Sequence, residues 1–420
     1  MGLNSTPSSG RVHIGFFGKR NVGKSSVVNA VTGQDLAVVS EVKGTTTDLV
    51  QKAMELLPVG PVVVIDTPGI DDTGELGERR IRKTRQALNK VDVAVLVVEA
   101  GAAVSMEEKQ LMDVFREKGI PFLMAINKMD LYQENQSGSL EAAGKAASFG
   151  AGGDFIDVSA KTGYHIQELK ERIASLAARQ EPKGRIVGDL LRPMDFVVLV
   201  TPIDAAAPKG RLILPQQQAI RDILESGAVS IVVKEGELKE TLRQLGKKPA
   251  LVITDSQVFA KAHKDTPADI LLTSFSILFA RYKGDLKAAV QGAAAIETLK
   301  DGDKVLISEG CTHHRQCGDI GSVKIPAWLE GYTEKKVEIK LTSGTEFPED
   351  LSGYKLAIHC GGCMLNGREM KYRVESAKGQ GVPITNYGIA IAYMQGILRR
   401  SLEAFPDILA ELPPIQGGDC

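Results

Sequence analysis

One stretch, Gly18-Lys19-Arg20-Asn21-Val22-Gly23-Lys24-Ser25, constrains this chain more than any other. Two glycines separated by four residues, then a lysine and a hydroxyl side chain, suit a loop whose backbone N–H groups curl around phosphate oxygens. The stretch follows the apolar run Val12–Phe17 and opens the helical spacing of Lys24–Val31. That strand–loop–helix context gives the pattern its meaning, and the helix N-terminus adds a field that favours anions. Lys24 is expected to reach the β- and γ-phosphates, and the Ser25 hydroxyl to bind Mg²⁺. Gly18, Asn21, Val22, Gly23 and Ser26 complete the expected phosphate loop.

Short β-rich apolar runs alternate with longer amphipathic ones as far as about Gln180. Val12–Phe17, Val62–Ile65, Val93–Val98, Phe122–Ile126 and Phe155–Val158 read as buried strands. Lys24–Val31, Ile81–Leu88, Met106–Glu117 and Ile166–Leu176 read as helices. Strand–helix alternation of this kind implies an α/β domain with a parallel sheet covered on both faces.

Further motifs fall at the ends of these strands. Asp66-Thr67-Pro68-Gly69 suits a second Mg²⁺ contact, with Asp66 acting through water and the Gly69 N–H sensing the γ-phosphate. In the loop Gly44-Thr45-Thr46-Thr47-Asp48, Thr46 is the expected switch hydroxyl that completes the Mg²⁺ shell with triphosphate bound. Asn127-Lys128-Met129-Asp130 follows the strand Phe122–Ile126, and Ser159-Ala160-Lys161 follows the last strand. A carboxylate at Asp130 accepts from the N1–H and 2-amino groups of guanine. Adenine lacks that donor pair and would leave a buried acceptor unpaired. The motifs therefore predict a GTPase that binds GTP and GDP with Mg²⁺.

Their order and spacing resemble the translation-factor-related GTPases, in the branch typified by the tRNA-modification GTPase MnmE and by Era. In that branch an asparagine at the position of Asn21 helps hold K⁺ beside the phosphates, so the resemblance implies K⁺-stimulated hydrolysis. Ile70 stands where Ras-like enzymes carry a water-orienting glutamine. An isoleucine cannot hydrogen-bond water, so slow intrinsic hydrolysis is expected.

The chain has 420 residues, and at about 150 residues per domain that suggests two or three domains. The segment Arg179–Gly184 reads as a linker. After it, strands at Phe196–Val200, Ser230–Val233 and Leu251–Thr254 alternate with helices at Gln216–Glu225 and Leu238–Leu245, a small α/β unit with no cluster of catalytic residue types. A third unit is expected from Pro267, with helices at Ile270–Arg281 and Leu286–Thr298 and strands at Lys304–Ser308 and Lys355–Ile358. The expected domains are 1–180 for nucleotide, 185–265 for dimerisation or interaction, and 267–420 for metal. A formal net charge of -1 gives no global pull toward nucleic acid or an anionic membrane. No apolar run reaches the roughly 18 residues of a membrane span. Met1–Gly10 reads as a polar tail without a signal peptide, and a cytoplasmic location is expected.

None of the 5 cysteines precedes Cys311. Cys311-Thr312-His313-His314 and His359-Cys360-Gly361-Gly362-Cys363 look like two halves of one metal site, in a reduced compartment. The glycines between Cys360 and Cys363 permit a tight loop that turns both sulfurs to one centre. On spacing alone, a mixed Cys/His set fits structural zinc. Three thiolates with an open fourth position fit a [4Fe–4S] cluster.

A GTPase domain, a small middle α/β unit and a CxH…HCxxC third domain together resemble HydF, the maturation GTPases of [FeFe]-hydrogenase. The resemblance spans essentially the whole chain. It implies a third, α/β iron–sulfur domain in which Cys311, Cys360 and Cys363 hold a [4Fe–4S] cluster, with His313 and His359 in the same motif. It implies a homodimeric scaffold that carries a transient di-iron precursor made with the radical-SAM maturases HydE and HydG, and delivers it to apo-[FeFe]-hydrogenase. Cys317 lies outside that motif, and the fourth ligand stays open among His313, Cys317, Asp319 and solvent. Two rival readings are a tRNA- or ribosome-associated GTPase with a structural zinc domain, and a redox sensor whose cluster gates hydrolysis. Against the first, the third unit has no Lys/Arg stripe interleaved with aromatics.

Overall fold

The computed structural model describes residues 6–34, 50–70, 84–131, 154–179, 184–203, 212–310, 319–344 and 346–412. Thr46, Cys311, His313 and Cys317, all singled out by sequence, lie outside the described residues. The chain divides into two compact units, Met1–Pro182 and Lys183–Cys420.

The first unit is built on a six-stranded sheet. Its strands are β1 (Val12–Phe17), β2 (Val50–Leu56), β3 (Gly60–Asp66), β4 (Val93–Glu99), β5 (Phe122–Asn127) and β6 (Asp154–Asp157), in the order β2-β3-β1-β4-β5-β6. All neighbours are parallel except β2, which returns antiparallel to β3. Central strands buried on both faces need apolar side chains at every position, which is why they read as unbroken runs. Successive side chains leave on opposite sides. Ile14, Phe16, Val62, Val64, Val95 and Val97 pack on one face with the helices Lys24–Thr32 and Ile166–Ala178. Phe17, Val63, Ile65, Leu96 and Val98 pack on the other with the helix Met106–Glu117. That helix starts at a capping box: the Glu108 N–H donates to Ser105 Oγ at 3.3 Å, and the Ser105 N–H donates to the Glu108 carboxylate at 2.8 Å. Parallel register brings Phe16 level with Asp66 and Glu99 level with Asn127, so the nucleotide motifs collect at one sheet end.

The second unit contains two parallel four-stranded sheets. One has β7 (Phe196–Val200), β8 (Val229–Val233), β9 (Leu251–Thr254) and β10 (Leu271–Ser274), in the order β10-β9-β7-β8. The other has β11 (Lys304–Glu309), β12 (Glu338–Ser343), β13 (Leu356–His359) and β14 (Ile384–Asn386), in the order β12-β11-β13-β14. The segment Ile270–Arg281, expected to be one helix, is the strand β10 followed by the helix Phe275–Lys283. Ser274 marks the change, its hydroxyl accepting from the Ile277 N–H at 3.3 Å as the N-cap. A continuous apolar run fits a buried strand as well as a helix, and here Leu271–Ser274 extend the first of these two sheets beside β9.

The two sheets of this unit share helices. Ile389 and Ala392 of the helix Tyr387–Met394 enter the core of the first sheet, as do Ile397, Leu402 and Phe405 beyond it. Ala390 of the same helix packs with β11 and β13. Gly388 lies so close to Ser276 that an added Cβ would stand 2.3 Å from its Cβ. The helices that follow β14 thus complete the core begun by β7, β9 and β10.

Candidate functional site

The phosphate loop follows β1 directly. Gly18 takes φ 145° and an added Cβ would meet the Val97 carbonyl at 2.2 Å, so only glycine lets the loop pass β4. Gly23 takes φ 88°, with the Asn127 amide 2.4 Å from where its Cβ would stand. Asn21 is exposed at φ 60° on the rim, a conformation asparagine tolerates. Lys24 is buried, and its ammonium donates to the Lys19 carbonyl at 2.7 Å, arching over the loop. Ser26 follows Ser25 in the first turn of the helix.

Ser25 and Asp66, both expected near Mg²⁺, are hydrogen-bonded to each other. The Ser25 hydroxyl donates to Asp66 Oδ2 at 2.8 Å, and Asp66 is only 3% exposed. Its other oxygen, Oδ1, is buried with no hydrogen-bond partner among the described residues. Such an acceptor costs about 1–3 kcal/mol unless something arrives to use it. Burial raises the Asp66 pKa, while the Ser25 hydroxyl and the Lys24 ammonium pull it back. A hydrated divalent cation fits this oxygen, which lies beside a hydroxyl and a lysine that suit a Mg²⁺-phosphate group. The next turn is tied to the loop, since the Ile70 N–H donates to the Gly18 carbonyl at 3.4 Å and Gly69 precedes it.

The residues expected to read the base lock together across three strand ends. Asn127 is 2% exposed and bridges two loops. Its Nδ2 donates to the Val22 carbonyl at 2.9 Å, and its Oδ1 accepts from the Ala160 N–H at 3.1 Å. It thereby ties the loop after β1 to the loop after β6. Ser159 donates to Asp130 Oδ1 at 2.7 Å and accepts from the Thr162 N–H at 3.2 Å, which fixes the carboxylate's rotamer. Lys161 stands exposed with Nζ 3.9 Å from Asp130 Oδ2, and Lys128 pairs with Glu99 at 3.1 Å. Lys128 takes φ 69°, in the left-handed region, just before Met129 and Asp130.

The second constellation sits where β11 and β13 end. Cys360 and Cys363, both half-buried, flank the Gly361-Gly362 turn, and Gly362 takes φ 61°. The Gly310 and Gly362 N–H groups donate to Cys360 Sγ at 3.0 and 3.4 Å. Burial pushes the Cys360 thiol up to about 11, against those two donors. Two backbone N–H groups aimed at one sulfur fit a metal-held thiolate. Among the described residues no three His, Cys, Asp or Glu side chains form a metal-ligand group, and Cys311 lies outside them.

His359 differs from the ligand role expected of it. Nδ1 lies 2.7 Å from the Cys360 carbonyl and Nε2 lies 2.8 Å from Arg373 Nη1, so both ring nitrogens are engaged. The guanidinium can only donate, which makes Nε2 the acceptor and Nδ1–H the donor. Burial, and the Arg373 charge after it, hold the imidazole neutral with a pKa of about 3. His359 thus orients the Cys360 peptide and has no nitrogen left for iron.

Arg373 was not singled out by sequence, yet it holds this end of the sheet together. It is 0% exposed. It donates to Glu369 at 2.9 Å, to Ser308 Oγ at 3.3 Å and to the Gly344 carbonyl at 2.7 Å, with Phe347 5.1 Å away across its face. Its partners Ser308, Gly344 and His359 stand at the ends of β11, β12 and β13, so one guanidinium binds the strands that lead into the cysteine loops. Glu309 and Tyr387 were also missed. They meet at 3.2 Å, over a Gly321 with no room for a side chain.

Comparisons with known proteins divide the chain in the same order. A model described as 50S ribosome-binding GTPase matches residues 13–128. The hydrogen maturase F dimerization domain matches 186–284, and the hydrogen maturase F tetramerization domain matches 287–404. Among curated proteins, the tRNA modification GTPase MnmE of Acetivibrio thermocellus is 30% identical, over 39% of this chain and 34% of its own. GTPase Der of Clostridium acetobutylicum is 31% identical, over 39% of this chain and 38% of its own. The chain spans about a third of the length of these relatives. Among solved structures, the FeoB G-domain from Methanococcus jannaschii is 26% identical at a TM-score of 0.31, covering 40% of this chain and 98% of that one. With two hydrogen maturase F modules following a GTPase domain, the chain belongs to the hydrogen maturase F (HydF) family of GTPases.

Proposed function

We propose that the protein couples GTP binding and hydrolysis to a metallocofactor scaffold in [FeFe]-hydrogenase maturation. The carrying observation is the Cys360–Cys363 loop, with two N–H groups on one sulfur and His359 turned away, within a hydrogen maturase F module. In this reading Cys360, Cys363 and Cys311 hold a [4Fe–4S] cluster, which supplies an iron with an exchangeable position. The cargo is a di-iron precursor made with HydE and HydG and passed to apo-[FeFe]-hydrogenase. The dimerization and tetramerization modules support self-association, in the first instance as a homodimer. No helix among the described residues is long and apolar enough to cross a membrane, and we assign the protein to the cytoplasm.

In the first unit, Asp130 selects guanine, Asn127 joins base and phosphate loops, and Lys24 meets the β- and γ-phosphates. Ser25 and Asp66 hold Mg²⁺, and Thr46 and the Gly69 N–H sense the γ-phosphate. Ile70 cannot orient water, so hydrolysis is slow unless K⁺, held at Asn21, neutralises the developing charge. Zinc at the cysteines, in a tRNA- or ribosome-associated GTPase, is disfavoured because His359 is spent on Arg373 and the Cys360 carbonyl.

The test is Cys360→Ala in the full chain. Iron and sulfide are expected to be lost while GTP affinity, measured by calorimetry, stays within about twofold, since the nucleotide residues lie in the other unit. Retention of iron by this variant would overturn the assignment.

A further inference from the structure

Lys283 is the last residue of the helix Phe275–Lys283, within the segment matched by the dimerization model. A lysine in a helix's last turn ordinarily reaches water while favouring the helix carbonyls. This one turns inward. Its ammonium donates to the Leu365 carbonyl at 3.2 Å, 82 residues along the chain and in the same turn as Cys363. The Leu365 N–H in turn donates to the Gly362 carbonyl at 3.0 Å, so the lysine is tied to the cysteine loop itself. The Phe279 ring lies 5.8 Å from Nζ and covers one side.

Lys283 is half-buried, and an ammonium drawn partly out of water is stabilised by negative charge beside it. The hydrogen bond to the Leu365 carbonyl sets the Lys283 ammonium beside the turn that carries Cys363. Among the described residues no carboxylate forms an ion pair with it. The positive charge is therefore directed at the cysteine site.

We propose that Lys283 is a further residue of the cysteine site: an ammonium, supplied by the middle module, that offsets the negative charge of an iron–sulfur cluster on the cysteine thiolates. This inference rests on the cluster reading above. Reduction adds one electron and one further negative charge to the cluster, which the ammonium stabilises without touching iron. The site is then completed by two modules, and Lys283 links the dimerization module to the electronic state of the cluster.

The experiment compares reconstituted full-length wild type, Lys283→Gln and Lys283→Arg by iron and sulfide content and by EPR-monitored redox titration. Glutamine keeps a donor for the Leu365 carbonyl but carries no charge, whereas arginine restores the charge. The reduction equilibrium of Lys283→Gln is expected to fall at least tenfold, about 59 mV more negative for one electron, with Lys283→Arg close to wild type. Loss of the cluster from Lys283→Gln but not from Lys283→Arg would support the same charge role. A glutamine variant that titrates with the wild type overturns the inference, as does loss of the cluster from both variants, which would mark a packing role. Wild-type protein without iron and sulfide sinks the cluster reading itself, and the inference with it.

Discussion

Replacing Arg373 with methionine tests whether its guanidinium holds the cysteine-bearing end of the last sheet together. The Glu369 carboxylate, its side chain 4% exposed, would be left without its ion-pair partner. Ser308, Gly344 and His359 would lose their bonds to the same group. Breaking a buried pair from one side costs about 3–5 kcal/mol, because the remaining charge keeps its desolvation penalty. Trp328, the single tryptophan, lies on the helix Ile325–Thr333 against the core formed by β11 and β13. Its fluorescence reports on this module within the intact chain. With a urea slope of about 2 kcal/mol per molar, the Trp328 transition should move down by about 2 M. Arg373→Met combined with Glu369→Leu should recover at least half of that shift, since removing both partners leaves no orphaned charge. A shift below about 0.5 M in the single variant would refute this account, as would a double variant no more stable than the single.

Asp130→Asn should weaken GTP binding by about 3 kcal/mol and let xanthosine triphosphate compete, because xanthine presents an acceptor where guanine presents a donor. Unchanged GTP affinity by calorimetry would remove Asp130 from the base site. GTP turnover should be several-fold faster in K⁺ than in Na⁺, with the difference lost in Asn21→Ala. Equal rates in the two salts at matched ionic strength would sink the cation reading.

The nucleotide site was legible because phosphate loops demand backbone shapes that few residues allow. Gly18 and Gly23 sit at positive φ against a carbonyl and an amide, so their spacing in sequence is already geometry. The cysteine loop was legible for the same reason, through Gly362. Elements that depend on distant partners were hidden. Strand β2 is largely exposed and is held by its pairing with β3, so it lacks the apolar run that marked the others. Glu369 and Arg373, four residues apart on a helix, look in sequence like an ordinary solvent-exposed pair. Only the return of that helix onto β11, β12 and β13 buries them. The motif alone cast His359 as a ligand, and the arginine 14 residues later that claims its Nε2 could not be foreseen. Lys283 was likewise the end of a helix until the fold brought Leu365 to it.

Metal and sulfide analysis of anaerobically purified full-length protein, with its visible and EPR spectra, tests the central claim most directly. The account predicts brown protein with about four iron and four sulfide per chain, giving a cluster EPR signal on reduction. Colourless protein holding zinc without sulfide would contradict it and return the cysteine loop to a structural role.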